Sequence, residues 1–146
     1  MSLFSDEAPK LGNSTVIDDT TLGTVKPQTE ECITVSGLVA TSTSQDLLVA
    51  PYPLQVSGVS VTFGTASSSG TADLVKMTGT TAVGSGTTTL TGTMSLAGTA
   101  NTPVNGTLVS TLATLQLAKG DRLGLKLGGT LTSLANCNVT VRFIKL

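Results

Sequence analysis

Apolar residues recur at every second position in short runs, and Thr, Ser and Gly fill the positions between them. Leu123, Leu125 and Leu127 alternate strictly, as do Val139, Val141 and Phe143. Leu90, Gly92, Met94 and Leu96 alternate with Thr and Ser. A period of two is the pattern of a strand with one face in a core and one in water. Thr suits the wet face because it is β-branched and polar together. Alternation, rather than continuous apolar runs, argues for antiparallel sheets. No run keeps a helical period long enough for a substantial helix.

About eight strand candidates follow from residue 32 onward. Residues 32–39 form the first, with an irregularity expected at Gly37. Residues 47–50 form the second, and Pro51-Tyr52-Pro53 interrupts any ladder because proline has no N–H to donate. Residues 54–63 form the longest. Its apolar parity changes midway: Leu54 and Val56 are even, whereas Val59, Val61 and Phe63 are odd. A β-bulge at Ser57-Gly58 places both sets on one face. Residues 65–70 are a polar turn, 74–77 a short strand, 79–86 a loop and 90–96 a half-buried strand. Residues 101–106 read as a loop, and 108–117 as either a strand or a short helical turn. Lys119-Gly120-Asp121 is a tight turn before the strand of Leu123, and the last strand ends near Leu146. The fold class expected is all-β, an antiparallel two-sheet sandwich of jelly-roll type. The 146 residues suffice for one such domain.

Charge divides the chain. Residues 1–31 carry Asp6, Glu7, Asp18, Asp19, Glu30 and Glu31 against Lys10 and Lys26, a net of −4. Residues 32–146 carry Asp46, Asp73 and Asp121 against Lys76, Lys119, Arg122, Lys126, Arg142 and Lys145, a net of +3. The first segment has no sustained period. It reads as an extended arm, residues 1–31, ahead of a sandwich domain, residues 32–146. Leu3, Phe4, Val16, Ile17, Leu22 and Val25 are its candidate assembly contacts, since a purely solvated tail has no need of such anchors; an unordered N-terminal tail is the equal alternative. The first seven residues show neither a basic nor an apolar segment of a secretory signal. No apolar run approaches the roughly 18 residues of a membrane span.

The composition speaks against catalysis. The chain has no His, no Trp and one Tyr, and only 12% of its residues are charged. General acid–base work needs a group that titrates near neutrality, and the domain offers only the separated Asp46, Asp73 and Asp121. Ser68 has no activating base in sight. Gly84-Ser85-Gly86 lacks the strand–helix unit and the Lys of a phosphate loop. Asp18-Asp19 and Glu30-Glu31 lack the spacing of a calcium loop. The mild positive charge of the domain is spread out without interleaved aromatics, against nucleic-acid binding. No catalytic, cofactor or metal residue is therefore expected. Cys32 and Cys137 fit no metal motif. They read as two small buried apolar residues, although a bridge between first and last strands is a geometric option.

Several segments resemble small bacteriophage virion proteins: residues 59–63, 74–76, 90–96, 117–123 and 139–141. The pattern is similar to that of the jelly-roll decoration, or cement, proteins of tailed-phage heads. The resemblance implies a structural protein of the virion, assembled in the host cytoplasm. It implies a homotrimer seated over junctions of the major capsid protein, with no nucleic acid, membrane or cofactor as partner. A receptor-binding or adhesin head of a tail or head fibre is the competing expectation, with similar strands but exposed loop aromatics, of which this chain has few; a carbohydrate-binding module, the third class, is weakened by the missing Trp.

Overall fold

The computed structural model describes residues 29–146. Ten strands form two antiparallel sheets packed face to face. They are β1 (Glu30–Leu38), β2 (Gln45–Val49), β3 (Leu54–Thr62), β4 (Thr71–Met77), β5 (Thr87–Thr88), β6 (Met94–Ser95), β7 (Val104–Asn105), β8 (Gln116–Leu117), β9 (Arg122–Gly128) and β10 (Cys137–Lys145). One four-residue helix, α1 (Leu112–Leu115), precedes β8. The first sheet runs β1-β10-β3-β7 with β8 also on β3, and the second β2-β9-β4-β5 with β6 also on β4. Successive strands β1 to β4 alternate between the sheets, and they pair with the later strands in reverse chain order. β1 pairs with β10, β2 with β9, β3 with β7 and β8, and β4 with β5 and β6. This is a long antiparallel ribbon rolled into a sandwich, the jelly-roll arrangement.

β3 carries the bulge read from its parity. Gly58 lies opposite Arg142 and Val56 opposite Phe143, so Ser57 is the extra residue. Leu54, Val56, Val59, Val61 and Phe63 are in consequence all buried. They pack with Leu74, Leu123, Leu125, Val139, Val141 and Phe143 in one core between the sheets. The Arg142 guanidinium lies over Gly58, 2.5 Å from where a methyl would stand, so a side chain there would have to push that flexible arginine aside. On β1 the register shifts between Val35 and Leu38, around Gly37.

Val75 and Met77 are buried on the other face of β4, outside the central core. The loop of residues 78–86 folds over them. A methyl on Gly124 would stand 2.7 Å from Met77 Cε and 3.0 Å from Val83 Cγ2, so β9 is bare there to admit both side chains.

Three expectations change. β1 begins at Glu30, two residues before the strand expected from residue 32, since Glu30 and Glu31 already pair with Ile144 and Phe143. Of the strand expected over residues 90–96 only β6 forms; β5 lies ahead of that span, and the two short strands pair with opposite ends of β4. Between them the hydroxyl of Thr88 accepts from Leu90 N–H at 3.1 Å, a local turn that competes with the ladder. Leu90 bridges to Leu108 instead. The expected loop of residues 101–106 holds β7, and residues 108–117 turn out to be helix and then strand.

Candidate functional site

The sandwich has two chemically different ends. One carries the root of the N-terminal segment at Glu30, the turns at residues 50–53, 78–86 and 118–121, and Leu146. At that end Glu30 Oε2 accepts from Ser57 Oγ at 2.7 Å, and Glu31 Oε1 accepts from the Tyr52 hydroxyl at 2.8 Å. Lys145 Nζ lies 4.6 Å from the centre of the Tyr52 ring. The hydrogen bond to Glu31, with lesser help from desolvation and from the carboxylate charge, raises the Tyr52 pKa above its ordinary value. The outer edge of β1 has no strand partner among the described residues.

Lys76 belongs to this end. Its parity on β4 is that of Ala72 and Leu74, which are buried, and it turns toward the end of the core. Its ammonium donates to Gln116 O at 2.6 Å and to Ala113 O at 3.1 Å. These carbonyls belong to α1 and the residue after it, which have no helical donor. Asp121 Oδ2 lies 3.6 Å from the same ammonium, and also accepts from Ala118 N–H at 3.0 Å. Shallow cavities of about 350 and 330 Å³ flank Lys76 and Ala113. Arg122 is the second tie. It reaches Asp46 Oδ2 at 2.7 Å and the carbonyls of Gly79 and Thr81, which pins the 78–82 turn. Three large apolar side chains are about half exposed here: Val49, Leu112 and Leu146.

The opposite end is built from four loops, residues 39–44, 63–70, 96–103 and 129–136, and none holds a charged residue. Backbone hydrogen bonds lace them together. Ser68 and Ser69 N–H donate to Thr132 and Thr130 O, both at 3.1 Å, Ser67 N–H to Leu96 O at 2.8 Å, and Ala40 N–H to Leu134 O at 3.0 Å. Gly129 sits where two of these loops cross. Its φ is +68°, and a methyl there would stand 2.2 Å from Ser69 O. The same end carries a shallow cavity of about 410 Å³, lined by Thr62, Phe63, Gly64, Asn101, Pro103, Asn136 and Asn138.

The expected assembly contacts Leu3, Phe4, Val16, Ile17, Leu22 and Val25 lie outside the described residues. The three domain carboxylates each have a separate partner. Asp46 holds Arg122, Asp73 accepts from Thr88 Oγ1 at 2.6 Å, and Asp121 faces Lys76. Among the described residues no three or more His, Cys, Asp or Glu side chains form a group able to hold a metal ion. The cysteine expectation needs correction. Cys137 is buried, but Cys32 is exposed, and both are free thiols. Cys32 pairs with Arg142, five positions along β10 from Cys137, about 17 Å at strand rise and well beyond disulfide reach. Burial pushes the Cys137 thiol up to about 11. Neither the inward Lys76 nor the asparagine-lined cavity was anticipated from sequence. Parity alone identifies the first, whereas the second joins residues from three separated segments.

No protein-family model matches the chain, and no match is found among curated proteins.

Proposed function

We propose that the chain is a non-enzymatic structural protein of a virion, a decoration or cement protein that binds the outer surface of a phage capsid. The observation that carries this reading is the asymmetry of the sandwich. The end bearing the root of the N-terminal segment gathers exposed Val49, Leu112 and Leu146 beside charged Glu30, Lys119 and Lys145. The other end is uncharged and self-bonded. Exposed apolar side chains set among charged ones suit a protein interface. Each half-exposed apolar side chain there adds about 1 kcal/mol on being covered.

The partners in this reading are the major capsid protein and further copies of the chain, with three-fold symmetry taken from the resemblance. In this reading the N-terminal arm, residues 1–31, is a further attachment segment, with Leu3, Phe4, Val16, Ile17, Leu22 and Val25 as its proposed anchors. Cement works through buried interface area, which the ties of Lys76 and Arg122 serve by fixing the turns that present it.

Co-sedimentation of the full chain with its cognate capsid tests the reading. Val49→Asp and Leu112→Asp together should lower occupancy at least tenfold. Thr132→Asp, at the far end, should leave it unchanged. The reverse pattern, or no sedimentation of the parent chain, defeats the proposal. Light scattering at micromolar concentration addresses the symmetry. A mass near 14.7 kDa rejects the trimer.

A further inference from the structure

We infer that the cavity at the uncharged end is a binding site for a neutral polyhydroxyl ligand, a one- or two-sugar unit of a glycan. This inference stands apart from the capsid reading, which concerns the other end.

The size and the lining argue together. A volume of about 410 Å³ falls within the roughly 300–1,000 Å³ of small-molecule sites. Four lining side chains are polar and none is charged: Thr62, Asn101, Asn136 and Asn138. Such a lining offers no counter-charge to an anion or a metal ion. Each amide and hydroxyl is both donor and acceptor, which is the complement of neighbouring sugar hydroxyls. Pro103, exposed at the rim, supplies an apolar contact for the C–H face of a ring, while the Phe63 side chain is turned into the core.

The amides are available for this work. The side chains of Asn101 and Asn136 make no hydrogen bond with any described residue. Asn138 uses its Oδ1 to accept from Gly37 N–H at 3.2 Å, which orients its NH₂ group. Asn101 and Asn136 both have left-handed backbones, with φ of 59° and 52°. Glycine adopts that conformation at least cost, and the chain places glycine at other such positions. The backbone therefore accounts for Asn or Gly at these two sites, but not for two amides lining one cavity. Both positions are held: Asn101 N–H donates to Phe63 O at 2.8 Å, and Asn136 O accepts from Gly64 N–H at 3.3 Å. A site already ordered loses little freedom on binding.

The test is an NMR titration of the full chain with neutral mono- and disaccharides, and with sialic acid and inorganic phosphate as charged comparators. A few hydrogen bonds and one apolar contact give a dissociation constant on the order of 1 mM. The expected result is saturable shifts at the side-chain amides of Asn101, Asn136 and Asn138 with at least one neutral sugar. The double variant Asn101→Gly, Asn136→Gly suits the left-handed backbone. It should keep or raise the melting temperature and weaken binding at least tenfold. Asn101→Asp with Asn136→Asp, which preserves shape and adds charge, should weaken it similarly. The inference is overturned if no neutral sugar gives saturable shifts at 50-fold the expected constant, about 50 mM. Tighter binding of a charged comparator overturns it too, as does unchanged affinity in the double glycine variant.

Discussion

Replacing glycine by alanine at three positions separates two physical effects that are usually confounded. Gly98 has neither a positive φ nor any atom within 4 Å of an added methyl. Gly37 has a φ of +77° and open space. Gly129 has a φ of +68°, and its methyl would stand 2.2 Å from Ser69 O. At Gly98 the substitution removes freedom from the unfolded chain only, and should stabilise by about 0.4–1 kcal/mol. At Gly37 left-handed strain of about 1–2 kcal/mol opposes that gain, leaving a net loss of about 1 kcal/mol. At Gly129 the same strain is joined by displacement of a backbone carbonyl. The loops that cross there exchange the bonds from Ser68 and Ser69 to Thr132 and Thr130, each worth about 1 kcal/mol. The total loss at Gly129 is about 3–4 kcal/mol, a large share of the roughly 5–15 kcal/mol that holds a domain. At about 3–6 °C per kcal/mol for a domain of this size, the melting temperature should fall by roughly 10–20 °C. Thermal unfolding followed by circular dichroism gives all three values. A loss at Gly129 no larger than at Gly37 would refute the crossing contact, and a loss at Gly98 would refute the unfolded-state argument.

A thiol reagent should label Cys32 in the native protein and reach Cys137 only on unfolding, as mass spectrometry of the labelled peptides can read. Cys137 also makes stability depend on alkaline pH. Its folded pKa of about 11 lies above the ordinary 9.0, so the native state keeps a proton that the unfolded state releases. Stability is complete below pH 9 and falls between 9 and 11 by about 2–3 kcal/mol. Tyr52 acts in the same direction, and the part due to Cys137 is the slope that disappears in Cys137→Ala when denaturant midpoints are compared. Lys76→Met, which keeps the apolar stem, strips the donor from Ala113 and Gln116 carbonyls and the charge partner from Asp121. Urea unfolding should show a loss of about 1–3 kcal/mol, whereas an unchanged midpoint would mean that α1 is held by packing alone.

The parts of the fold legible from sequence are those in which side-chain parity decides everything. The parity switch between Val56 and Val59 located the bulge of β3, because only an extra residue lets both halves face one core. β9 and β10 were legible for the same reason. The segments around Leu90 and Val104 were not, since there the ladder is interrupted by side-chain hydroxyls and two-residue strands. Those outcomes depend on what the opposite sheet presents. β4 begins three residues earlier than expected because Thr71, Ala72 and Asp73 carry no large apolar residue, yet pair with Gly128, Leu127 and Lys126. Cys32 looked like a core residue by type, but its position on β1 faces water opposite Arg142. The amide cavity draws on Thr62, Asn101 and Asn136, which no local pattern connects. The N-terminal anchors were read from composition and lie outside the described residues.

The rolled ribbon also imposes an order on folding. β4 and β5 are joined by the loop of residues 78–86, with Lys76 opposite Thr87, whereas β1 must find β10 across nearly the whole domain, with Glu30 opposite Ile144. The second loop is roughly ten times longer, which makes its closure costlier by roughly 2 kcal/mol of chain entropy. Pairing that starts at the ribbon's turn shortens each later loop, so loop entropy favours an order that runs outward through β3 and β2 to β1. A chain emerging from the ribosome cannot complete this sequence until β10 has been made, and up to that moment β3 lacks its longest partner. The last pair to close is the one from which the N-terminal segment departs.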